Sequence, residues 1–145
     1  MKILSKVTGK RTGGETTPYL VATPTKGGIK LNDPAIDALK VRLGDRISIL
    51  KAEDEDGNAV LVMGVTQEGS KLGDSGAGLQ FSDAAGWGNL GGYPEVNRYF
   101  TIDLENAEEA DEETIKAGLA SKGDVFYYIA FDHEDDKIVR TRKED

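Results

Sequence analysis

The sequence predicts a single small domain over residues 1–145, mainly β (α+β): a barrel with two short helices, assembled from two similar halves. Three observations carry that expectation. Apolar and polar residues alternate in short runs bounded by Gly, Asp and Asn, as they do in half-buried strands. Only two stretches have helical spacing. The order strand, helix, Gly-Asp, strand, acidic turn, strand occurs twice.

Taken in order, Ile3-Leu4-Ser5-Lys6-Val7 and residues 16–23 read as strands, with Gly13-Gly14 and Gly27-Gly28 as breaks. Ile29-Lys30-Leu31 alternates as a strand does. Asn32-Asp33-Pro34 then supplies a helix cap followed by an N-terminal proline. Ala35, Ile36, Leu39 and Leu43 continue with helical spacing. Gly44-Asp45 ends the helix and Ile47-Ser48-Ile49 opens a strand. Residues 54–58 form a hairpin turn, because Asp-Gly and Gly-Asn tolerate positive φ, and residues 60–63 return. Residues 67–93 read as a long ordered loop with one short strand near Leu79. Nine of the chain's 18 glycines lie between Gly64 and Gly92. Phe81, Trp87 and Tyr93 are the contact candidates of this loop, since aromatics can pin glycine-rich backbone to a body. Residues 99–102 are a strand, and the acid-rich stretch 105–113 leads into a helix over 114–119. Gly123-Asp124 follows, then a strong strand at 125–131, a polar turn at 132–136 and a return at 138–141.

A shift of 79 residues puts Ile36 on Ile115, Ala38 on Ala117, Gly44 on Gly123, Asp45 on Asp124 and Val60 on Val139. The strand at 29–31 meets 100–102 only at a shift of 71, so the second half holds about eight extra residues between strand and helix. These are pseudo-repeats at about 28–63 and 99–141, separated by the glycine-rich stretch. The run Gly28-Ile29-Lys30-Leu31-Asn32-Asp33-Pro34, continued by Leu39-Lys40-Val41-Arg42-Leu43-Gly44-Asp45-Arg46-Ile47-Ser48-Ile49, resembles the AbrB-like swapped-hairpin domains. It equally resembles the wider cradle-loop barrels, double-psi barrels included. The resemblance covers 28–63 and, more loosely, 99–141. It implies a pseudo-duplicated barrel of cradle-loop type, in which two β-α-β-β units interlock and Gly-Asp marks the turn after each helix. It also implies the activity of its regulatory members, which are dimers that bind DNA.

Composition narrows the function classes. There are no cysteines, which excludes disulfides, thiolate metal sites and thiol nucleophiles. No apolar run approaches the roughly 20 residues of a membrane span, and the N-terminus lacks the apolar core of a signal peptide. The expected location is the cytoplasm or a virion. The net charge is −8, with six Lys/Arg against one acid in residues 1–30 and fourteen acids against six bases in residues 101–145. That balance disfavours polyanions as partners of the whole surface.

No catalytic residue is expected. Gly73-Asp74-Ser75-Gly76 has the look of a serine-protease nucleophile segment, but the one histidine, His133, falls after the serine and in an expected acidic turn. His133 among Asp132, Glu134, Asp135 and Asp136, and the turn at 54–58, read as solvated hairpin tips rather than metal sites. Neither a Walker loop nor a dinucleotide fingerprint occurs, so no cofactor is expected.

The binding candidates are Lys10, Arg11, Lys26, Lys30, Arg42 and Arg46, with Lys2 and Lys6 beside them. A basic first segment and an acidic last one suit head-to-tail contacts between identical subunits. The expected function is a non-enzymatic structural or interaction protein that self-associates or docks on a larger assembly. Its partner is then a protein or a second copy. Acidic, cysteine-free, loop-decorated barrels are similar to small accessory virion proteins of bacteriophages. The alternative is an AbrB-like DNA-binding transcriptional regulator that uses the basic face.

Overall fold

A computed structural model describes residues 16–76 and 78–135 of the chain. The strands expected at 3–7 and 138–141 lie outside the described residues, as do Lys2, Lys6, Lys10 and Arg11.

Strands β1 (Tyr19–Ala22) and β2 (Gly28–Leu31) form a hairpin with Leu20 opposite Leu31. Helix α1 (Asp33–Leu39) starts where the sequence requires: the Asn32 side chain accepts from the Ala35 amide, and Pro34 sits in the first turn. It ends four residues before Leu43, because Lys40 turns left-handed at φ 59° with its amide on the Ile36 carbonyl. Strands β3 (Arg46–Glu53) and β4 (Ala59–Thr66) form a long hairpin around the expected turn, where Gly57 takes φ 83° and the Asp54 amide donates to the Asn58 carbonyl.

The glycine-rich stretch is more structured than a loop. It holds β5 (Ser70–Lys71), β6 (Gly73–Asp74), β7 (Leu79–Ser82) and helix α2 (Ala84–Asn89). Next come β8 (Arg98–Ile102), a 3-10 turn (Leu104–Asn106), β9 (Glu108–Glu109), helix α3 (Glu112–Lys116) and β10 (Val125–Glu134).

The fold is mainly β. One antiparallel sheet runs in the order β5-β3-β4-β10-β8-β1-β2-β7-β6, with β9 beside β10 off that path, and the path curls into a nearly closed barrel. Residues 70–74 bring the two edges together. Their first half pairs with β3 and their second half with β7. Between the halves, Leu72 is buried, its amide donating to the Asp45 carbonyl and its carbonyl accepting from Gly44. Inward residues alternate with outward ones along β2 and the first half of β3, whereas all four residues of β1 are buried. Leu20, Ile29, Leu31, Ile47 and Met63 are fully buried in the core.

Several expectations change. There are three short α-helices rather than two. The helix unforeseen in the sequence, α2, contains Gly86 and Gly88, poor helix formers; it forms because Asp83 caps it and Trp87 and Leu90 bury in the core. The helix expected over 114–119 begins at Glu112 and stops at Lys116. The polar turn expected at 132–136 is strand through Glu134, and the register shift between Phe131 and His133 marks a bulge.

The two halves share one local frame at the 79-residue shift. Asn32 and Asp111 cap α1 and α3 through the amides of Ala35 and Thr114. Gly44 and Gly123 take φ 95° and 93°. The Asp45 carboxylate accepts from the Arg42 amide and that of Asp124 from the Ser121 amide, each three residues back. Strands β3 and β10 then start at Arg46 and Val125.

Candidate functional site

The outer face of β3, β4 and β10 carries an apolar row. Leu50 lies opposite Val62, and Val62 opposite Tyr128. All three alternate with core residues, so the row faces away from the barrel interior. The Phe126 ring lies over Gly64, where an added Cβ would come within 2.6 Å of ring carbon Cε1. Glycine there lets an aromatic cover bare sheet backbone.

The segment over residues 108–119 stands over this row without sealing it. No residue of α3 is buried, and Leu119, just beyond it, is 73% exposed. Between segment and sheet runs a groove of about 360 Å³. Leu50, Ala52, Val62 and Phe126 supply apolar surface, with Thr114 and Leu119 on the helical side. Glu53, Glu108, Glu109 and Asp111 supply four carboxylates, against one cation, Lys51. The Tyr128 hydroxyl donates to Glu108 Oε2 at 3.3 Å. The Glu108 charge pushes the Tyr128 phenol above its ordinary value; partial desolvation, Asp54 and Glu55 act in the same direction. The groove mouth therefore lies in a negative field.

The base of the segment is held by Asp124, the buried charged residue of the described chain at 3% exposure. Its Oδ2 accepts from the Ser121 amide at 2.8 Å and its Oδ1 from the Gln67 amide at 3.1 Å. The Gln67 side chain donates onward to the Lys122 carbonyl. At the other end of the segment, Thr114 hydrogen bonds hold the Asp111 carboxyl below its usual range. The groove offers a ligand apolar contact along its floor and carboxylates at its edge.

The expected binding residues fall elsewhere. Arg42 and Arg46 flank the exposed first-half turn, and Lys71 lies opposite Arg46. The Arg46 guanidinium donates to the Gly69 carbonyl at 2.9 Å. Lys30 points outward on β2 opposite Gln80, separated from β3 by β7 and the closing segment. Lys26 lies in the exposed β1–β2 turn. Phe81 and Trp87 are core residues, the Trp87 indole N–H donating to the Thr23 carbonyl at 2.8 Å, whereas Tyr93 is exposed.

His133 sits on β10, not on a hairpin tip. The bulge brings it and Asp132 together, Nδ1 lying 2.6 Å from Oδ2. Its ring stacks on Tyr99 at 4.4 Å, and the Tyr19 hydroxyl donates to Asp132 Oδ2 at 3.0 Å. These contacts hold the Asp132 carboxyl below its usual range, His133 contributing most. Among the described residues no three His, Asp or Glu side chains gather into a metal-sized group. No described helix is long and apolar enough to cross a membrane.

The chain matches no protein-family model and has no significant match among curated proteins or solved structures.

Proposed function

We propose that this chain is a non-enzymatic structural or interaction protein that self-associates or docks on a larger assembly. An accessory protein of a phage virion is the finer version of that reading. The supporting observation is the groove over Leu50, Val62 and Phe126, with Leu119 in the open beside it. Apolar surface rimmed by charge marks protein contact sites. Sedimentation velocity across a wide concentration range tests it. Self-association predicts a mass that rises above 15.6 kDa as concentration increases. A constant 15.6 kDa at every concentration would reject self-association and leave only docking on a different partner.

The second reading is a duplicated cradle-loop barrel that regulates transcription as AbrB-like proteins do. The frame shared by residues 32–53 and 111–132 supports the duplication, and Arg46 opposite Lys71, with exposed Arg42 four residues before it, supports a phosphate-facing patch. Fluorescence anisotropy of labelled mixed-sequence duplex DNA separates the two readings. The regulator binds at low salt and loses affinity steeply as salt rises. Absence of binding at low salt, where the electrostatic contribution is largest, removes it.

A further inference from the structure

The first-half turn is a knob. Leu43 is 62% exposed, and Lys40, Arg42 and Arg46 surround it in sequence, none in an ion pair among the described residues. The knob is held in one shape while the barrel is closed. Lys40 is the one described non-glycine residue at positive φ, and the turn is fastened by Gly44 to Leu72, Leu72 to Asp45 and the Arg42 amide to the Asp45 carboxylate. A non-glycine residue kept in this region is over-determined by its surroundings.

The groove is the chemical complement of that knob: apolar in its floor, acidic at its rim. Glu108 and Glu109 are exposed there, and neither forms an ion pair among the described residues. Knob and groove belong to one sheet and are fixed at different places on it, Arg46 opening β3 and Leu50 lying four residues along. In the folded chain Lys40, Arg42 and Leu43 form no part of the groove lining. Resting on the self-association reading above, we propose that the Leu43 knob of one copy seats in the groove under α3 of a second copy, with Lys40 and Arg42 against Glu108 and Glu109. Such a contact is heterologous: the copy that gives its knob keeps its groove free, and the copy that gives its groove keeps its knob free for the next.

Two full-length variants test this. Variant A carries Lys40→Glu and Arg42→Glu; variant B carries Glu108→Lys and Glu109→Lys. All four sites are exposed, and matched thermal melts establish that both variants fold. Like charges then face each other in either variant alone, and each associates at least about tenfold more weakly than the parent by sedimentation. Mixing A with B restores association, because the acidic knob of A meets the basic groove of B, and the unchanged knob of B meets the unchanged groove of A. If the parent associates and A and B do so equally well, the knob-and-groove contact is wrong while self-association stands. Loss in both variants without recovery on mixing also overturns the pairing. A parent that is monomeric throughout removes both readings.

Discussion

Residues 32–53 and 111–132 build the same cap, helix, Gly-Asp turn and strand, yet the first lies on the core and the second stands off it. Helix α1 buries Ala35 fully and rests Ile36 and Leu39 against the core. Helix α3 has no buried residue, Thr114 and Ile115 being only half-buried. The turns differ in the opposite sense: Asp45 is half-exposed, whereas Asp124 is buried and takes a second amide from Gln67. One local code therefore serves two purposes. Side-chain carbonyl and carboxylate oxygens accepting from nearby amides set the frame, and the tertiary neighbours decide whether it becomes wall or outrigger.

The largest expected effect comes from placing a charge at equivalent helix positions. Ala35→Glu buries an unpaired carboxylate and is expected to cost about 4 kcal/mol or more, while Thr114→Glu changes stability by no more than about 1 kcal/mol. Urea denaturation of both variants measures the contrast; equal costs would mean that α3 is as buried as α1. Next is the pair of turn carboxylates. Asp124→Ala strands two amides and is expected to cost about 1–3 kcal/mol, and Asp45→Ala about 1 kcal/mol or less. The caps come third. Loss of either costs about 1 kcal/mol, with Asn32→Ala the worse because Asn32 also accepts from the Tyr19 amide and donates to the Thr17 carbonyl.

The smallest effect is a titration. Glu108 raises the Tyr128 phenol, so the contribution of that proton to stability is present below the ordinary tyrosine value of about 10 and is lost as pH rises through the higher folded value. Glu108→Gln is expected to lower the titration midpoint of Tyr128, read from its ring signals by NMR. An unmoved midpoint would show that the rim charge does not reach the groove floor.

Much of this was legible in the sequence because it is local. Asn32-Asp33-Pro34 announces α1, Asp56-Gly57 announces the β3–β4 hairpin, and the two Gly-Asp pairs announce the repeated turn. What escaped depends on distant partners. Helix α2 is written in glycines and alanines, and Gly86 is required there because a Cβ would meet Ile49 at 2.8 Å. The bulge that turns His133 beside Asp132 has no signature in the run Phe131-Asp132-His133. The acid run at 105–113 was visible as charge. That it overhangs Leu50 and Val62 follows only from the register of β3, β4 and β10.

The five-residue closing segment has a kinetic consequence. Each of its halves pairs over only two positions with its neighbour, while β3 and β4 pair over eight. Local opening runs through the least-paired elements first. The amides of Lys71, Leu72 and Gly73 should thus exchange with solvent deuterium well before those of β4. Each opening lays bare β3 and β7 as two free sheet edges, the kind of surface that captures another strand. The stave that makes the barrel a barrel is also the place where a protease or a swapped segment would first gain entry.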